Sequence, residues 1–126
     1  MSSESDILVK MDFQGLVSIN ATLSRIKGPI IVDRIVDLLP ASWRAIRRKD
    51  EIQMIVPIKA GAMKPTNTVK RGDIGFIPVG NLVVIYLADK TTAAKVNLIG
   101  NVNEVEKLDS LANIHVGQIV NVTKLI

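Results

Sequence analysis

The sequence predicts a mainly β domain: an antiparallel sheet closed into a barrel, with two short helices at its ends. Three observations carry this. Apolar residues recur with period two in several short runs, two segments alone switch to helical spacing, and strands and helices do not alternate as they would in a parallel-sheet fold. The chain has 126 residues, enough for one domain with its own core, and no internal repeat or low-complexity tract divides it.

Met1–Asp6 is small and polar and reads as a flexible tail before a single domain over 7–126. Ile7, Val9, Met11 and Phe13 then share one face of a strand, with Leu8, Lys10 and Asp12 on the other. Gln14-Gly15 is a turn. Val17, Ile19, Ala21 and Leu23 alternate with Leu16, Ser18, Asn20 and Thr22, which completes a hairpin. The period changes at Gly28-Pro29, where proline suits the first turn of a helix because its missing N–H is not needed there. Asp33, Arg34 and Asp37 form the polar stripe of this helix, and Ile30, Ile31, Ile35, Leu38 and Leu39 a wide buried face. Pro40 ends it.

Strand character returns from Ser42. Glu51–Ile58 alternates with Ile52 and Met54 inward, and Pro57 marks an end or an edge. Ala60–Lys70, broken by glycine and proline, is the longest loop. Ile74–Pro78 and Leu82–Ala88 are strands around Val79-Gly80-Asn81; Leu82 to Leu87 shows no alternation, so both faces should be covered. Asp89–Lys95 reads as a second loop and Val96–Val102 as a strand. Val105, Leu108, Leu111 and Ala112 give helical spacing over Val105–Ile114. After Gly117, a last strand runs from Gln118.

Hydrophobic residues make up 48% of the chain and charged residues 22%, the balance of a folded protein. No apolar run approaches the roughly 18 residues a membrane span needs. MSSESDILVK lacks the basic and apolar regions of a signal peptide, so a cytoplasmic location and no membrane partner are expected. There is no cysteine, which excludes disulfides and thiolate chemistry. His115 is the single histidine, too few for a zinc set, and reads as a cation near a helix C-terminus. No glycine-rich phosphate cradle occurs. Asp50 and Glu51 are strand neighbours facing opposite ways, so they cannot flank one bond. Catalytic residues, metal ligands and cofactors are therefore all expected to be none. Arg71-Gly72-Asp73 reads as a turn whose carboxylate bonds nearby backbone N–H groups. Asn20-Ala-Thr22 and Asn121-Val-Thr123 fit the glycosylation pattern but fall in strands.

Net charge is +4 and the pI is near 9.6. Arg44, Arg47, Arg48 and Lys49 are clustered just before Asp50 and Glu51. This is a solvated loop of mixed charge or, alternatively, a phosphate-contacting patch. Aromatic residues make up 3%, which leaves few rings for stacking on bases. Trp43, Phe76 and Tyr86, with Pro78 near them in sequence, are either core or pocket.

One resemblance covers the chain from the first helix onward. Trp43, then Glu51-Ile52, then Gly72-Asp73-Ile74-Gly75-Phe76, Pro78 and Gly80, then Val96-Asn97-Leu98-Ile99-Gly100 stand in an order that resembles the small cyclophilin-like proteins of archaea and bacteria. The resemblance implies a cyclophilin-like closed eight-stranded antiparallel β-barrel capped by helices. Four features depart from the family pattern: Gln53 stands where an aromatic is usual after Glu-Ile, Ile77 where a tryptophan precedes the proline, Tyr86-Leu87-Ala88 where apolar aromatic strand residues are usual, and several extra residues, the basic cluster among them, lie between Trp43 and Glu51. The F-H-R-x-I-P-x-F-x-x-Q-G-G-D segment of prolyl isomerases has no counterpart, and a shared fold does not carry activity with it.

The expectation is a non-catalytic module that binds a small molecule or a peptide, with Trp43, Gln53, Phe76, Pro78, Tyr86 and Asn97 as candidate pocket residues. Two alternatives stand beside it: a prolyl isomerase with non-standard residues, and a weak nucleic-acid or anion binder using Arg44, Arg47, Arg48 and Lys49.

Overall fold

The computed structural model describes residues 6–61 and 63–125. The expected tail over residues 1–5 lies outside them, and Asp6 is already the first residue of a strand. Strands β1 (Asp6–Phe13) and β2 (Val17–Ser24) form the expected hairpin, in register from Asp6 opposite Ser24 to Phe13 opposite Val17. Helix α1 (Pro29–Leu38) follows, then β3 (Ala41–Arg48), β4 (Glu51–Ile55), β5 (Thr66–Val69), β6 (Asp73–Ile77), β7 (Leu82–Tyr86), β8 (Lys90–Val102), a 3₁₀ helix (Val105–Asn113) and β9 (Gln118–Lys124).

Eight strands pair in the ring order β2-β1-β9-β3-β4-β7-β6-β8, and β8 returns to β2, so the barrel is closed. Every pairing is antiparallel. Alternate residues point inward: Val9, Met11 and Phe13 of β1, Ile52 and Met54 of β4, Ile74 and Phe76 of β6, and Val83 and Ile85 of β7 form one core. The ninth strand, β5, stands outside the ring and pairs with β8 alone.

β8 makes that possible by serving three neighbours in turn. Its first half pairs with β5, from Lys90 opposite Val69 to Val96 opposite Thr66. Its middle pairs with β6 and its end with β2. The β5–β8 pair lies over the outer face of β6 and β7 and builds a second, smaller core from Val69, Ile77, Val84, Tyr86 and Val96. This is why Leu82–Leu87 shows no alternation: Val83 and Ile85 face the barrel interior and Val84 and Tyr86 face this outer core.

Five expectations shift. The long loop contains β5, and the loop expected over Asp89–Lys95 is the start of β8. β4 ends at Ile55, before Pro57. The second helix is 3₁₀, with Leu108 and Leu111 buried. On α1 the buried residues are Ile31, Val32 and Ile35, whereas Ile30 and Leu38 are exposed. α1 seats a narrow stripe on the barrel, and the rest of its apolar surface faces outward.

Candidate functional site

β3 and β4 set the geometry of the outer face. Along β3, Trp43 and Ala45 point into the core while Arg44, Ile46 and Arg48 point out. Along β4, Ile52 and Met54 point in while Gln53 and Ile55 point out. The β3–β4 register sets Ile46 opposite Gln53, and the β4–β7 register sets Ile55 opposite Leu82. An apolar isoleucine therefore lies where the alternation calls for a solvent-facing residue, and Ile55 is 72% exposed.

Two recesses meet at this point. One, of about 520 Å³, is lined by Leu38, Ala41, Ser42, Trp43, Arg44, Ile55 and Pro57. The other, of about 420 Å³, lies over Ala45, Ile46, Gln53, Leu82 and Val116 and shares Arg44 and Ile55 with the first. Val116, in the turn before β9, is 80% exposed and walls the second recess. Arg44 donates from Nη1 to the Gly117 carbonyl at 3.3 Å, which holds its guanidinium at the boundary between them. The result is a shallow apolar groove with Ser42, Arg44, Arg48 and Gln53 as its polar members. Such a surface can take an apolar body and fix a carboxylate or amide at its edge.

The six residues expected at a pocket do not line one recess among the described residues. Trp43, 6% exposed, contributes an edge to the first recess, and Gln53 lines the second while donating from Nε2 to Glu51 Oε1 at 3.0 Å. Pro78 lines a separate recess of about 620 Å³ with Arg34, Lys59, Gly61 and Asn81. Phe76 is fully buried in the barrel core. Asn97, opposite Phe76 in the β6–β8 ladder, donates from Nδ2 to the Gly61 carbonyl at 3.3 Å and accepts from Met63 N at 3.1 Å, which pins the segment after β4. Tyr86 is fully buried in the outer core opposite Glu51, and its hydroxyl has no hydrogen-bond partner among the described residues. Burial above all, then the nearby Glu51 and Asp73 carboxylates, pushes the Tyr86 phenol well above its ordinary pKa.

The basic cluster is divided in the same way. Arg44 and Arg48 face the groove. Arg47 turns aside, donating from Nε to the Lys49 carbonyl at 2.9 Å and from Nη1 to the Ala112 carbonyl at 3.4 Å, so it braces the β3–β4 turn against the end of the 3₁₀ helix. Lys49 occupies that turn with a positive φ of 55°. Arg71, first of the Arg-Gly-Asp triplet, is bound to the Leu87 carbonyl and to Asp109, and Asp73 Oδ2 accepts from Lys70 N. The triplet is scaffold. His115 is exposed in a turn, and no group of three or more metal-ligating side chains forms among the described residues. No described helix is long and apolar enough to cross a membrane.

Sequence reasoning missed Ile55, Pro57, Leu38 and Val116 as groove residues. A signal existed for Ile55: an isoleucine on the otherwise polar face of β4 beside Glu51 and Gln53.

Among solved structures, the chain is similar to the hypothetical protein AF2241 from Archaeoglobus fulgidus, whose solution structure shares 20% identity and a TM-score of 0.77 over 98% of both chains. It is also similar to McbB, solved in complex with tryptophan, at 15% identity and a TM-score of 0.70; the match covers 93% of this chain and 44% of McbB. No curated protein sequence matches. A family model described as Cyclophilin-like matches residues 8–123, which reaches every barrel strand, and the chain belongs to that cyclophilin-like family.

Proposed function

We propose that this protein is a non-catalytic binding module that holds a small molecule or a peptide in the groove over β3 and β4. The observation that carries the reading is Ile55, an exposed isoleucine at the junction of two recesses, with the Arg44 guanidinium beside it. A large apolar side chain left in water at a concave point, next to a fixed cation, is what an amphipathic anion would cover. Trp43 is the single tryptophan of the chain and part of the groove wall, so it reports occupancy directly.

The test is a screen of apolar carboxylates and short peptides, read by Trp43 emission and thermal shift. A ligand at about 100 times its Kd should raise stability by about 2.7 kcal/mol. Ile55→Asp and Arg44→Gln should each abolish the signal while leaving the unliganded melting temperature within a few degrees. A hit unaffected by both changes would remove the groove from consideration.

One feature favours a second reading. Arg44 lies beside Ile55, Pro57 and the edge of Trp43, an arginine next to an apolar recess that could take a prolyl ring. A proline-peptide isomerisation assay decides it: catalysis that disappears in Arg44→Ala would make the module an isomerase, and a rate equal to background would end that reading.

A further inference from the structure

The β3–β4 groove is one end of a longer path. The recess at Trp43 shares Leu38 and Pro57 with a neighbour of about 230 Å³. That neighbour shares Arg34 and Lys59 with the recess at Pro78. The recess at Pro78 in turn shares Arg34, Ala60 and Gly61 with a recess at the start of α1, which holds Ile30. Five concavities are therefore contiguous from the first turn of α1 to Val116, three of them meeting at Arg34.

Charge is spaced along the same line. Arg34, Lys59, Arg44 and Arg48 are the cations of the lining, and Asp37 is its one carboxylate among the described residues. None of the four cations takes part in a salt bridge among the described residues. Arg34 donates to the Lys59 carbonyl and Arg44 to the Gly117 carbonyl, which fixes two guanidinium groups at the walls without neutralising them. Between the cations the lining is largely apolar, with Leu38, Ile55, Pro57 and Ile58 among its members.

We propose that this path is a docking surface for an extended acidic segment of a partner protein, whose apolar side chains enter the recesses and whose carboxylates meet Arg34, Lys59, Arg44 and Arg48. The proposal rests on the groove reading above and adds its partner. A contiguous run of recesses suits an extended chain with alternating side chains. The strands beneath are paired on both sides, so a partner gains no main-chain ladder and must be read through side chains. Single-stranded nucleic acid fits less well, because Trp43 is the one aromatic in the lining and is almost covered.

The experiment is fluorescence anisotropy on the intact chain with three probes: a labelled peptide of about ten residues alternating glutamate and valine, its lysine–valine counterpart, and an oligothymidylate of similar length. The acidic peptide should bind, and its Kd should rise about tenfold from about 50 to about 300 mM NaCl. Arg34→Glu, where three recesses meet, and Arg44→Glu, in the β3–β4 groove, should each weaken it roughly fivefold or more, and Lys95→Glu, on the outer strand pair, should not. No binding of the acidic peptide, equal binding of the basic one, or tighter binding of the oligonucleotide overturns the proposal. So does binding that Arg34→Glu leaves unchanged. In each of these cases the small-molecule screen with Trp43 as reporter still decides the β3–β4 groove on its own.

Discussion

Tyr86 is where burial and hydrogen bonding conflict. Its ring lies over Gly75, where a Cβ would meet Val96 and approach a Tyr86 ring carbon at 3.3 Å, so glycine makes room for the outer core. Its hydroxyl is buried with no partner among the described residues. An unsatisfied buried hydroxyl costs about 1–3 kcal/mol, and removing it leaves the packing of the ring intact. Tyr86→Phe should therefore be neutral or stabilising by about 1 kcal/mol in chemical denaturation, whereas Tyr86→Ala should lose about 3–5 kcal/mol. The raised phenol pKa gives a second readout. The unfolded chain ionises this group near 10.0 and the folded chain well above it, so the unfolded state loses protons first and stability falls as pH rises past 10.0. That part of the alkaline limb should be missing in Tyr86→Phe. The same residue shows what the sequence could not reveal. In β6 and β7 both faces are buried, so alternation offers no wet side, and nothing in the sequence separates Phe76, which faces the barrel, from Tyr86, which faces the outer core. In β3 and β4 one face is wet, and there Arg44, Arg48 and Gln53 line one recess, while Trp43, on the core face, contributes only an edge to the neighbouring one.

Among the elements, the 3₁₀ helix depends on a polar brace. Glu104, just before it, accepts from Asn20 N at 2.8 Å through Oε1 and pairs with Lys107 at 2.9 Å through Oε2, and Lys107 also donates to the Ser18 carbonyl at 3.0 Å. The helix is thus tied to β2 beside the strand that closes the ring. The bond from Lys107, then that from Asn20, lowers the Glu104 carboxyl below its ordinary value. A depressed carboxylate contributes stability above its unfolded pKa and loses it as pH falls through the folded one, so Glu104→Gln should lessen the loss of stability below about pH 4.5. Urea melts across pH 3 to 7, with Glu106→Gln as control, check this. β1 and β2 were legible because their alternating residues face one core and one solvent. β5 and the start of β8 were not: Thr66–Val69 and Lys90–Lys95 are short, mostly polar runs whose main apolar contribution is Val69, and they are strands because they pair with each other.

At the scale of the whole molecule, closure is the property to test. β8 meets β2 where Leu23 stands opposite Gly100, and a Cβ on Gly100 would collide with the Thr22 carbonyl, a backbone atom that cannot swing away. Gly100→Ala should cost about 3 kcal/mol or more, the scale of a core overpacked by rigid atoms. Gly61→Ala, whose Cβ would meet nothing within 4 Å, should be near neutral. Denaturant titration of both variants gives the comparison. The seam was not legible in the sequence, since neither Thr22 nor Gly100 carries a pairing signal. The resemblance to the cyclophilin-like family supplied the strand number, eight, that periodicity left open.

The position of β9 has a consequence for how the chain is made. It is the last strand in the sequence, yet in the ring it stands between β1 and β3. The β1–β2, β3–β4 and β6–β7 hairpins are local and can form as they leave the ribosome, but the first and second have no partner strand between them until Gln118–Lys124 has been synthesised. Until then Trp43 has no Val120 opposite it and Met11 no Val122. Until Gln118–Lys124 emerges, the nascent chain therefore exposes apolar strand faces and unpaired edges, and the barrel can close only after it.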